Sequence, residues 1–125
     1  MNYGEQEIVD FDIDKEEHYW PNKHNKNYTI KITLPEYMAK CPRSGYPDFA
    51  VINLEYIPEA KVIELKAIKL YINTFMYKEV SHEDAVNKIF NTLYENLKPR
   101  WMKVVAVFKP RGNVDTVITI DSDKM

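Results

Sequence analysis

The stretch 47–77, PDFAVINLEYIPEAKVIELKAIKLYINTFMY, changes its hydrophobic period midway, and that change sets the fold class. Residues 49–57, FAVINLEYI, read as a strand that is apolar on both faces, with Pro47 and Pro58 at its limits. Proline lacks the N–H that a ladder needs, so it marks strand ends and edges. From Glu64 to Tyr77 the apolar side chains recur instead at Leu65, Ile68, Ile72 and Phe75, the spacing of one helical face.

Upstream, Tyr28, Ile30, Ile32 and Leu34 alternate with Thr29, Lys31 and Thr33, a half-buried strand with one wet face. The connection from about Pro35 to Pro47 has no period of its own and is long for a hairpin. Downstream, Ser81 is a good N-cap with Asp84 three positions on. Val86, Ile89, Phe90, Leu93 and Leu97 make the stripe of this second helix, which stops before Pro99. Finally MKVVAVFK and NVDTVITID flank Pro110-Arg111-Gly112, a C-terminal hairpin with Gly112 supplying turn geometry. The order strand, strand, helix, helix, strand, strand predicts an α+β fold, one four-stranded antiparallel sheet with two helices on one face. Such a sheet has two open edges, which invite pairing between subunits or closure into a barrel. Residues 1–25 are polar without a sustained period and read as an irregular arm, leaving 26–125 as a single domain.

Composition narrows the function classes. The 125 residues are 45% hydrophobic and 29% charged, the balance of one soluble domain. Apolar runs such as Val104 to Phe108 are too short to span a bilayer, and the acidic start MNYGEQEIVDFDID has no signal-peptide pattern. A cytoplasmic location is therefore expected. A net charge of −2 argues against a nucleic-acid partner, which would require a basic face. The lone cysteine forbids an intramolecular disulfide. With only Gly4, Gly45 and Gly112, no GxGxxG loop can be drawn, so any nicotinamide cofactor is held outside a Rossmann fold. His18, His24, His82 and Cys41 lack the paired spacing of a zinc site, and no metal is expected.

Three segments could carry chemistry. Cys41 lies in AKCPRSGYPDFA, seven residues before Asp48. The thiol is either a small buried hydrophobe or a soft nucleophile for a nitrile or carbonyl carbon, and Asp48 either a turn residue or a proton donor beside it. In ELKAIKLY, Lys66 and Lys69 share a helix face three positions apart, and Glu64 sits where the helix dipole favours negative charge. Periodicity alone makes this a solvated face. In Ser81-His82-Glu83-Asp84, the carboxylates either compensate the dipole or offer a bidentate acceptor to adjacent N–H and amine donors of a guanine-like ring.

Together, CPRSG with PDFA, then ELKAIKLY, then HED, resemble the NADPH-dependent 7-cyano-7-deazaguanine reductases of queuosine biosynthesis in their short, single-domain form. The likeness covers about residues 26–121. It implies the tunnelling fold, in which sheets of several subunits join into a barrel with active sites between subunits, here a homo-oligomer expected to be a decamer. It implies that Cys41 attacks the nitrile to form a thioimide and that Asp48 donates the proton. It further implies substrate contacts from Ile63, Glu64, Leu65, His82 and Glu83, and NADPH contacts from Lys66 and Lys69, with Arg111 as a third cation. Asn113 stands where the family usually has a second glycine after PRG. The residues leave two other readings open, a sister tunnelling-fold cyclohydrolase or pterin enzyme and a non-catalytic purine-binding oligomer. The zinc cyclohydrolases need several Cys/His ligands and do not require CPRSG and ELKAIKLY together, and the oligomer would keep Glu83 with no need for Cys41 and Asp48.

Overall fold

The computed structural model describes residues 7–125. Among the described residues, six strands and two long helices come in the order β1 (Tyr19–Pro21), β2 (Ile30–Lys40), β3 (Pro47–Ile57), β4 (Lys61–Ile63), α1 (Leu65–Asn73), α2 (His82–Leu97), β5 (Trp101–Arg111) and β6 (Val114–Asp121). The main sheet is antiparallel, ordered β2-β3-β5-β6. Its core face carries Tyr37, Ala39, Ala50, Ile52, Leu54, Tyr56, Met102, Val104, Ala106 and Phe108. These side chains share one cluster with Ile68, Ile72, Val86, Ile89, Phe90 and Leu93 of the helices. Helical and strand periods thus meet on one side of the sheet, the α+β arrangement expected from the order of elements.

Local chemistry fixes the ends. Glu64, extended at φ −74°, accepts from the N–H groups of Lys66 and Ala67 at 3.0 and 2.8 Å and so caps α1. Ser81 Oγ accepts from Asp84 N–H at 3.1 Å and caps α2. At the other end Lys98 turns left-handed at φ 45° and Pro99 stops continuation. The last part of the expected first helix, Thr74–Tyr77, tightens into a 3₁₀ turn.

Several expectations need correction. The long loop from Pro35 to Pro47 does not exist, because β2 runs on to Lys40 and leaves only residues 41–46 as the turn. A bulge between Leu34 and Tyr37 absorbs Pro35 and Glu36, which an edge strand tolerates since half of its N–H groups need no partner. The final turn is Gly112-Asn113, not Pro110-Arg111-Gly112, with φ of 61° and 70° at its two residues. Two successive positive φ values make the primed turn that suits the twist of a hairpin, and asparagine accepts this conformation better than most residues. Pro110 sits in a second bulge, between Phe108 and Arg111. The strand 49–57 carries apolar side chains on both faces, but only its inner row is buried, and the outer row leaves Phe49 45% exposed.

The arm is not wholly irregular either. Its first six residues lie outside the described part, but Tyr19–Pro21 pairs with Lys61–Ile63 in a second, two-stranded sheet. Three-residue strands are too short to show a period. Tyr19 is buried, and its hydroxyl donates to the Ile13 carbonyl at 2.9 Å. Ile63 N–H donates to the buried Tyr56 hydroxyl at 3.1 Å, which ties the small sheet to the large one.

Candidate active site

Asp48 is the one charged residue on the buried row of β3, followed inward by Ala50, Ile52, Leu54 and Tyr56. At 7% exposure a carboxylate needs partners, and two are present. Arg111 Nη1 donates to Oδ1 at 2.5 Å, and His82 Nε2 lies 3.4 Å from Oδ2. His82 is held in turn by stacking on Phe108, with ring centroids 3.8 Å apart and planes 16° from parallel.

The two bulges aim this cluster. Along an unbroken strand Arg111 would have the opposite parity to Phe108 and face away from Asp48. One extra residue at Lys109-Pro110 restores it to the side of Phe108 and the core. In the same way the bulge at Pro35-Glu36 keeps Leu34, Tyr37 and Ala39 on the inner face, and Cys41 follows at that parity. Ala39 pairs with Asp48 across the ladder, so the turn returns Cys41 close to the carboxylate. Cys41 N–H donates to the Tyr46 carbonyl and Gly45 N–H to the Cys41 carbonyl, both at 2.8 Å. Gly45 closes this turn at φ 76°, a conformation that glycine adopts without a Cβ clash.

Cys41, Asp48, His82, Glu83, Lys109 and Arg111 line one open cavity of about 380 Å³. The Cys41 thiol is partly exposed and its pKa is lowered to about 7. Donation from the Ser44 hydroxyl is the main cause, followed by the N–H groups of Ser44 and Arg43, while desolvation and the charge of Asp48 oppose it. A thiol of that acidity is substantially ionised at neutral pH, which separates it from an inert packed cysteine. Glu83, in the first turn of α2, offers two acceptor oxygens to the same cavity.

The structure therefore unites Cys41 and Asp48 from one short segment with His82 and Glu83 from the start of α2. It does not bring the ELKAIKLY segment to them. Ile63 is buried in β4, Glu64 is spent as a helix cap, and Leu65 is 64% exposed. Lys66 pairs with Glu7 at 3.6 Å, and Lys69 lines a different cavity of about 460 Å³ with Leu34, Pro35, Glu36, Ile72, Asn73 and Met76. Arg111, expected beside those lysines as a phosphate cation, belongs to the Cys41 cavity. Sequence reasoning missed Ser44, Lys109 and the Phe108 platform. Ser44 had a signal, its place in the turn three positions after Cys41. The other two had none. As a set, Lys66 and Lys69 are exposed ammonium groups suited to the phosphates of a dinucleotide.

The family of QueF-like proteins matches residues 47–125. An "NADPH-dependent 7-cyano-7-deazaguanine reductase" of Sulfurovum sp. is 63% identical over 98% of this chain and 98% of its own length. The protein of the same description in a Nitratiruptor species is 61% identical over 100% of this chain and 95% of its own. That of Campylobacter jejuni subsp. doylei is 64% identical over 98% and 97%. Among solved structures, the archaeosine synthase QueF-Like in the apo form superposes with a TM-score of 0.72 over 78% of this chain and 96% of that one. At 18% identity this is a likeness of fold alone.

Proposed function

The chain belongs to the QueF-like family of NADPH-dependent 7-cyano-7-deazaguanine reductases, and on that footing we propose that Cys41 is the nucleophile that attacks the nitrile carbon, with Asp48 moving the proton. The protein is an oxidoreductase of queuosine biosynthesis. It converts 7-cyano-7-deazaguanine to the 7-aminomethyl compound with NADPH. The observation that carries the mechanism is the shared cavity of an acidified Cys41 thiol and a buried Asp48.

In the first step the Cys41 sulfur bonds to the nitrile carbon, one π bond of C≡N opens, and the nitrogen takes a proton to give a thioimide. No electrons change hands there, so addition precedes reduction. Asp48, which lines the same cavity, gives nitrogen its proton, drawn from the thiol or, once Cys41 is ionised, from water. NADPH, when bound, supplies one hydride to the thioimide carbon and a second to the imine left when sulfur departs, so that two cofactor molecules and two protons complete the amine. Cys41 must then also be a leaving group, and a thiol acidic enough to attack as thiolate leaves readily as one. Glu83 holds the ring N1–H and exocyclic amine as a bidentate acceptor, with His82 beside it on Phe108. Lys66 and Lys69 hold the cofactor phosphates.

Because Lys69 lines a separate cavity from Cys41, we assign the complete site to two subunits of a homo-oligomer, with Ile63, Glu64 and Leu65 of one chain reaching the ring bound by another. The two open sheet edges, β2 and β6, and the exposed outer-face residues Phe49, Val107 and Val117 favour joining of sheets into a barrel, and a decamer is the assembly proposed.

Mass spectrometry of the protein mixed with 7-cyano-7-deazaguanine and no NADPH tests the chemistry. A covalent increment equal to the whole nitrile, absent in Cys41→Ala, is expected. No increment in the intact protein would overturn the thioimide route.

A further inference from the structure

We propose that Arg111 and Ser44 are positioning residues of this reaction: one guanidinium clamps Asp48 and Ser44 at once, and thereby turns the Ser44 hydroxyl into a fixed hydrogen-bond donor to the Cys41 sulfur. The inference rests on Cys41 being the nucleophile and goes beyond it, by naming what holds the thiolate ready.

Donor and acceptor capacity sets the direction of each bond. A guanidinium has no acceptor, so each of its bonds donates. Arg111 Nη1 donates to Asp48 Oδ1 at 2.5 Å and Nη2 donates to Ser44 Oγ at 2.7 Å. Tyr46 N–H, at 3.3 Å, also donates to Ser44 Oγ. Both lone pairs of that oxygen are then occupied, and the hydroxyl is left with one proton to give. Cys41 stands across the same turn, held by its N–H on Tyr46 and its carbonyl on Gly45. The lowered Cys41 pKa, with the Ser44 hydroxyl as its main cause, is the consequence expected of that direction. A cation on the far side of the hydroxyl polarises it further, as in any chain of hydrogen bonds.

Arg111 has a second effect. The negative charge of Asp48 works against a thiolate at Cys41, and the guanidinium offsets that charge where it arises. The remaining charged or titratable groups that line the cavity are His82 and Glu83 from α2 and Lys109 from β5. The rigid fork of Arg111 is the side chain that reaches both acceptors, Asp48 and Ser44. Lysine, a single point charge on a flexible stem, cannot hold both in one geometry. The bulge at Lys109-Pro110 is what brings the fork to this face.

The test titrates Cys41 in the full chain through its rate of alkylation by iodoacetamide against pH, which is unambiguous because the chain has one cysteine. Ser44→Ala is expected to raise the midpoint and slow alkylation at pH 7 by roughly 3- to 10-fold, as a thiol returns toward its ordinary acidity. Ser44→Thr keeps the hydroxyl and is expected to retain the original midpoint. Arg111→Lys keeps the positive charge that offsets Asp48 but loses the fork that holds Ser44, so it is expected to raise the midpoint in the otherwise intact chain and to add little in a Ser44→Ala background, because what the substitution removes acts through that hydroxyl. A midpoint unmoved in Ser44→Ala, or an Arg111→Lys effect that persists without Ser44, would overturn the proposal. Nitrile adduct formation by the intact protein is followed alongside. An adduct with an unmoved midpoint discards the relay and keeps the nitrile chemistry, whereas a moved midpoint without an adduct does the reverse.

Discussion

At the scale of single residues, the acidity of the Cys41 thiol is raised by hydrogen-bond donors in a tight turn and opposed by the Asp48 carboxylate. The sign of its pH dependence is a direct result. With a pKa lowered to about 7, the thiolate predominates above that value and is lost as pH falls through it. The rate of thioimide formation is expected to level off above about pH 7.5 and to fall about tenfold per unit well below about 7. Stopped-flow measurement of adduct formation against pH checks this, and a midpoint near the ordinary thiol value would contradict it. Asp48→Asn is expected to slow turnover by about 10²- to 10⁴-fold, the usual worth of a positioned proton-transfer group, while Glu83 retains ring binding. Steady-state kcat beside a direct measurement of nitrile affinity separates the two. Cys41 and Asp48 were legible seven residues apart in one short segment. Arg111 as the partner of Asp48 was not, because the contact joins positions 63 apart and no local pattern records it.

At the scale of elements, caps and bulges carry the site. Ser81 was readable as the start of a helix, and the structure bears this out through its bond to Asp84 N–H. Since His82 and Glu83 form the turn that Ser81 anchors, Ser81→Ala is expected to cost about 1 kcal/mol of stability and to raise KM for the nitrile more than it lowers kcat. Chemical denaturation and steady-state kinetics on the same protein measure both. Pro35 and Pro110 are instructive in a different way. In sequence each looks like punctuation, a place where a strand should stop. In the structure each strand continues past its proline, and the residue gained reverses the parity of the positions beyond it. A one-residue shift swaps the faces of a strand, so these two bulges decide that Cys41 and Arg111 face Asp48 at all. Nothing in the one-dimensional pattern distinguishes a bulge from a strand end when proline occupies both.

At the scale of the whole molecule, the helices cover one face of the sheet, and the other face leaves Phe49, Val107 and Val117 open. Among the described residues no helix is long and apolar enough to cross a membrane. Sedimentation is expected to reveal a species of about ten times the 14.8 kDa chain mass, and dissociation to the monomer is expected to remove turnover while leaving Cys41 open to alkylation. A fully active monomer would remove the case for a shared site. The hydrophobic periods, with their change from strand to helix across residues 47–77, determined the order of the four main strands and two long helices, and with it the α+β class, because burial of one face imposes its period directly on the chain. Residue types and short spacings likewise determined the nucleophile, its acid and the ring clamp as candidates. The tertiary structure decided which candidates meet: Asp48 with Arg111 and His82, and Lys69 in a cavity apart. Those contacts depend on ladder register and on the two bulges, and register is a relation between distant strands that no single segment encodes.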